Sequence, residues 1–274
     1  MVHNMTLFEK STRSGNDAAN KQREEWLSTL LETTLPDSDV QGRFIQEELQ
    51  RVLSIVALQS GVGPYTSVKL VRKGGRTFNY DFDAVYTDAV RKIEFKYGCS
   101  SIQRLPQFLS LSVKQFLPEF IPFWWEHLDR YRACDEGLTY EKPSLDEYTA
   151  VVGRISSELP FFVQMKEREG VSTQEKHKVV NECIAEFLRQ LPTIPLDNIK
   201  ERFRLQQDKY FLLWDKKMYV DSFTEEDMDV AFHSVTKNSI VLKSAKATFS
   251  CLLRWRNHKG ILNPAWQISM KRIK

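Results

Sequence analysis

The chain has 274 residues with 42% hydrophobic and 12% aromatic content, enough to bury a core as one elaborated domain or two small ones. Its net charge of +3 is mildly basic, so any attraction for nucleic acid has to come from local clustering rather than from the total. The most apolar run, 108–125, carries Lys114, Glu119 and two prolines, which excludes a membrane-spanning helix; the first residues lack the apolar core of a secretory signal.

Residues 1–21 are polar and read as a flexible arm. Trp26, Leu27, Leu30 and Leu31 have helical spacing within 22–33, and Pro36–Asp39 forms a loop and cap. A second helix is predicted over 42–59, with Ile45, Leu49, Val52, Leu53 and Val56 on one stripe. Gly61–Pro64 breaks it, a strand covers 66–71, and Lys73-Gly74-Gly75-Arg76 turns into the next strand. After 98 the chain is expected to enter a helix near Leu105, with Pro106 in its first turn. Residues 131–200 read as mostly helical, with capping boxes at Ser144–Glu147 and Ser172–Glu175. Lys200–Arg204 adds a small basic cluster. Hairpins follow at 210–220 and at 246–271, with a strand at 239–243 between them.

The chemistry concentrates in 78–98. Both halves alternate apolar and polar residues, the period of a half-buried strand. Phe78, Tyr80, Phe82, Ala84 and Tyr86 share one face, with Asn79, Asp81, Asp83 and Val85 on the other. Ile93, Phe95 and Tyr97 oppose Lys92, Glu94 and Lys96. The link 87–90 is short enough for a hairpin, which would set Asp81 or Asp83 beside Glu94 and Lys96. Mg²⁺ is a hard cation that takes one or two carboxylates and keeps several waters. An ammonium beside it can hold a phosphate oxygen or orient a water. The bland alternative is a hairpin whose polar face is simply solvated.

Asp83-Ala-Val-Tyr followed by Ile93-Glu94-Phe95-Lys96 resembles the PD-(D/E)xK nuclease superfamily over about residues 41–125, without the literal Pro-Asp. The resemblance implies an α+β chain with an αβββαβ restriction-endonuclease-like core at 22–130. A mostly helical middle and a C-terminal antiparallel β region would fill 131–274 and could contact nucleic acid. It further implies a metal-dependent DNA endonuclease using Mg²⁺ or Mn²⁺. Asp83 and Glu94 would be metal ligands, Lys96 the catalytic lysine and Asp81 the second choice for the first ligand. An acidic residue from the preceding helix would fall on Glu48, and a glutamine from the following helix on Gln103 or Gln107. Restriction-like members often act as homodimers.

Outside that region, Trp124-Trp125 could stack bases, although composition favours burial. Arg254, Arg256, Gln267 and Lys271 share a face of the last hairpin, and are the types that contact phosphates and base edges. The wet side of a sheet explains them equally. Cys99, Cys134, Cys183 and Cys251 form no CxxC pair, which argues against a zinc site or disulfide framework and for an intracellular, reducing setting. No two of the five histidines have metal-ligand spacing; Asn257-His258 with Asn263 makes only a degenerate His-Asn-His element. The alternative to an enzyme is a nuclease-like fold that binds nucleic acid or a partner without cutting, or a structural α+β protein with no site.

Overall fold

Apolar residues at every third or fourth position build the two helices that open the protein. The computed structural model describes residues 7–8, 16–62, 67–73, 78–154, 156–191, 193–255 and 264–273. In chain order the first elements are α1 (Asn16–Leu30), α2 (Val40–Gln59), β1 (Lys69–Arg72), β2 (Phe82–Val85), β3 (Val90–Tyr97) and β4 (Arg104–Ser112). The helices α3 (Phe120–Arg132), α4 (Leu145–Val151), α5 (Pro160–Glu167), α6 (Thr173–Gln190) and α7 (Asp197–Gln207) follow. The chain ends with β5 (Lys209–Asp215), β6 (Lys217–Ser222), α8 (Glu225–Met228), β7 (Ala231–Val235), β8 (Ser239–Lys243), β9 (Ala247–Trp255) and β10 (Pro264–Arg272). The protein is therefore α+β.

It divides into two units. One comprises Met1–Gln103 with Phe203–Glu225, the other Arg104–Arg202 with Glu226–Lys274. In the first unit β1, β2 and β3 form an antiparallel meander, β5 pairs parallel to β3, and β6 closes the sheet in the order β1-β2-β3-β5-β6. One face of this sheet is apolar. Phe82, Ala84, Ile93, Phe95, Leu212 and Trp214 pack with Leu27 and Leu30 of α1 and Ile45, Leu49, Val52 and Val56 of α2. Strand alternation then turns Lys92, Glu94 and Lys96 to the opposite face. Asp39 caps α2, its carboxylate accepting the Gly42 amide at 2.8 Å.

In the second unit the sheet order is β4-β10-β9-β8-β7, all antiparallel. Trp266 of β10 is fully buried; its ring lies 5.0 Å from Phe116 and its indole N–H donates to the Phe116 carbonyl at 2.7 Å. Asp135 accepts from Arg168 at 2.6 Å and from Lys176 at 3.0 Å, tying the start of the 135–144 connection to α6.

Several expectations change. The expected core boundary at 130 gives way to a break after Gln103, because β5 and β6 return from beyond the helical stretch to complete the first sheet. The N-terminal arm is shorter than 1–21: α1 begins at Asn16, and Phe8 is buried with its ring 5.1 Å from Trp214. The helix expected near Leu105 is strand β4. Pro106 has no N–H to give a ladder, but β4 is an edge strand whose pairing with β10 shifts register between Leu105 and Leu109, where a proline is tolerated. The Ser144 capping box is present. Ser172 instead takes the left-handed conformation at φ 50° and makes no side-chain cap. The turns expected at 74–76 and 257–260 lie outside the described residues.

Candidate active site

The turn between β2 and β3 fixes the register on which the site depends. Val85 pairs with Val90 and Phe82 with Ile93, so Asp83 lies across from Lys92 rather than Glu94. Asp81, one residue before β2, takes the place beside Glu94. Its backbone N–H donates to the Ile93 carbonyl at 2.9 Å, and its carboxylate Oδ2 accepts the Phe95 N–H at 2.8 Å. Asp81 is thus tied to both neighbours of Glu94.

Glu94 is held from two sides. Lys96, two residues on and on the same face, places Nζ 2.6 Å from Oε1. Lys209, the first residue of β5, places Nζ 3.3 Å from Oε2. Lys209 is buried, and its ammonium also donates to the Asn79 carbonyl and, at 3.1 Å, to Gln206 Oε1. The Lys96 side chain keeps 27% of its exposure, against 1% for Lys209.

The electrostatics follow from this crowding. Burial, and then the Glu94 charge beside it, push the Asp81 carboxyl up to about 7, against the pull of the Phe95 amide. Glu24 of α1 adds to the same effect. For Lys96, burial works against the ammonium, but the Glu94 charge and hydrogen bond outweigh it and raise the pKa, with Asp81 and Glu24 contributing. For Lys209 burial wins over Glu94, and its pKa falls below that of an ordinary lysine. The site therefore holds a carboxyl that burial and the neighbouring Glu94 charge keep protonated up to about neutral pH.

The sequence-derived candidates separate into three groups. Asp81, Glu94 and Lys96 come together. Asp83 stands apart: it pairs with Lys73 at 3.1 Å and accepts the Tyr80 hydroxyl, so the order of the two aspartates reverses. Glu48 is also elsewhere. It holds Arg51 at 2.7 and 2.8 Å and accepts the Met218 amide at 2.9 Å, fastening α2 to β6. The acidic residue from a helix whose charge reaches the site is Glu24 of α1, paired with Arg72 at 3.2 Å.

Gln103 lies in the turn before β4, exposed, and Gln107 on β4 itself with its side chain outside the described atoms, both away from any helix. The glutamine that does join the network, Gln206, comes from α7, a hundred residues later. Trp124 is buried, as composition favours; Trp125 is half-buried, its indole donating to the Pro143 carbonyl at 2.8 Å with the Lys142 ammonium 4.0 Å over its ring. On the second unit, Arg254 hydrogen-bonds Gln267 on the same sheet face, Lys271 is exposed on it, and Arg256 lies outside the described residues.

Glu24, Gln206 and Lys209 were missed. Glu24 has a visible signal, three residues before the buried Leu27 and so on the flank of the α1 stripe. Lys209 shows only as a lysine at the head of the apolar run Phe211–Trp214, and nothing local says that this run pairs with β3.

The donors suit a hard divalent cation. Two carboxylates supply anionic oxygen, and Mg²⁺ commonly takes one or two such ligands and fills the rest with water. Among the described residues no group of three His, Cys, Asp or Glu side chains is assembled for a metal, so a cation here would depend on water or substrate oxygens for its remaining positions. No described helix is long and apolar enough to cross a membrane. Compared with models of protein families, with curated proteins and with solved structures, the chain matches none.

Proposed function

We propose that the protein is a divalent-cation-dependent endonuclease of the PD-(D/E)xK type, with Asp81 and Glu94 as cation ligands and Lys96 as the catalytic lysine. The observation that carries this reading is the double tie of Asp81 to Ile93 and Phe95, which sets it beside Glu94 while Lys96 sits 2.6 Å from the Glu94 carboxylate. The topology of the first unit supports it. Helix α2, the meander β1-β2-β3, then α7 and a β5 strand parallel to β3 follow the αβββαβ order, with residues 98–196 between its third strand and second helix.

When bound, Mg²⁺ or Mn²⁺ would supply charge neutralisation at a phosphate and a more acidic water. To hold the cation with Glu94, Asp81 would release its proton to solvent. Lys96, released from Glu94 and partly exposed, would donate to a phosphate oxygen or align the attacking water. Exposed Phe78 and half-buried Tyr80, just before Asp81, form an edge-to-face pair at 5.6 Å, with Lys73 5.5 Å above the Phe78 ring and Lys92 5.9 Å above the Tyr80 ring. Rings next to ammonium groups are what an unstacked base and its phosphate use, which favours a nucleic acid with unpaired bases as the substrate class. With one site per chain, cutting both strands at one place would require two copies.

A second reading, a nuclease-like protein that binds without cutting, is favoured by one observation: both Glu94 oxygens are already taken by lysines. Incubating supercoiled plasmid and a single-stranded oligonucleotide with wild type and Glu94→Gln, with Mg²⁺ or EDTA, separates the two. The nuclease reading requires Mg²⁺-dependent cutting that Glu94→Gln abolishes; binding without cutting in wild type selects the second.

A further inference from the structure

A buried lysine that the proposed chemistry does not use sits at the junction of three segments. Lys209 retains 1% of its side-chain exposure. Its single ammonium spans Glu94 Oε2 on β3, Gln206 Oε1 on α7 and the Asn79 carbonyl, two residues before Asp81. An ammonium has three donors, and these three acceptors use all of them. The consequence is geometric. The Asn79–Asp81 bend precedes β2: the Asp81 backbone is fixed by its N–H to the Ile93 carbonyl and by its carbonyl to the Lys73 N–H, while Lys209 ties the Asn79 end of the bend directly to the Glu94 side chain.

We propose that Lys209 is a positioning residue for the cation site: it ties the segment that carries Asp81 to the Glu94 carboxylate, the two proposed cation ligands. This rests on the nuclease reading above. Lys96 contacts the other Glu94 oxygen but makes no bond to the Asn79–Asp81 segment, so the two lysines divide the work. Lys209 sets where the carboxylates stand; Lys96 acts on what they bind.

The two roles make opposite predictions for cation affinity. Removing a positive charge beside a cation site should tighten binding by simple electrostatics. Removing the group that orients the ligands should weaken it, about tenfold or more. Mn²⁺ binding to the full chain is measured by electron paramagnetic resonance or calorimetry, without nucleic acid, for wild type, Lys209→Met and Lys96→Met, with folding checked by circular dichroism. The expected result is about tenfold or greater weakening for Lys209→Met, despite the lost charge, with Lys96→Met binding Mn²⁺ as tightly as wild type or more so. Unchanged or tighter binding in Lys209→Met overturns the positioning role while leaving the nuclease reading intact. Absence of Mn²⁺ binding in wild type overturns both. If Lys209→Met does not fold, Lys209→Gln, which keeps a donor but not the charge or the reach, is measured in its place, and the same weakening is expected.

Discussion

The Asp81 carboxylate accepts the backbone N–H of Phe95 at 2.8 Å, a bond that replaces one rung of the β2–β3 ladder with a side chain. The exchange brings an acidic group beside Glu94 and costs it solvation. That contact sets Asp81, rather than Asp83, beside Glu94; burial and the Glu94 charge, acting against the pull of the same amide, are what make its carboxyl resist ionisation.

Asp81 makes stability and cation binding depend on pH. An ordinary aspartic acid ionises near 3.8, whereas in the folded protein this one holds its proton up to about 7. The folded state therefore binds more protons than the unfolded state between those values, and stability falls as pH rises through that window. Asp81→Asn removes the titration and keeps a side-chain oxygen for the Phe95 amide. Thermal melts should show the variant gaining a few degrees over wild type at pH 8 and nothing at pH 3.5. A cation must displace the proton, so Mg²⁺ affinity should weaken by up to about tenfold per pH unit below 7. Calorimetric titrations at several pH values check this.

Glu48 should matter for stability alone. Glu48→Ala removes the acceptor of the Met218 amide and the bidentate partner of Arg51, which join α2 to β6. The expected loss is about 1 kcal/mol in chemical denaturation, since the Arg51 end is solvated and contributes little. Mn²⁺ affinity should be unchanged. A large loss of Mn²⁺ affinity in a folded Glu48→Ala protein would return Glu48 to the site.

Phe78 is 41% exposed, and its loss should leave the fold intact. If it stacks a base, Phe78→Ala should weaken binding of a single-stranded oligonucleotide in EDTA by about fivefold or more, the scale of roughly 1 kcal/mol for one stacking contact. Fluorescence anisotropy reads this directly, and equal affinity would remove Phe78 from the substrate path.

Much of the first sheet was legible because its signals are local. Period-two alternation and a short link predict the β2–β3 hairpin, and the same alternation puts Glu94 and Lys96 on one face. The helices α1 and α2 follow from apolar stripes that are in fact buried. What could not be read was register and return. A shift of two residues keeps every side chain on its face, so alternation alone leaves Asp81 and Asp83 equivalent; the Val85–Val90 pair decides between them. Gln206 and Lys209 reach the site through parallel pairing across more than a hundred residues, which no window of sequence contains. The Leu105 segment misled because Pro106 suits a helix start as well as an irregular edge strand.

The measurement that bears most directly on the site is plasmid cleavage in Mg²⁺ or Mn²⁺ by wild type, Asp81→Asn, Asp83→Asn and Lys96→Ala. Cutting by wild type that Asp81→Asn and Lys96→Ala abolish, and that Asp83→Asn leaves within about threefold, is the predicted result, because a charge outside the reacting group contributes little through solvent. Loss of cutting in Asp83→Asn with activity retained in Asp81→Asn would contradict the assignment, and equal cutting by all four proteins would contradict the site itself.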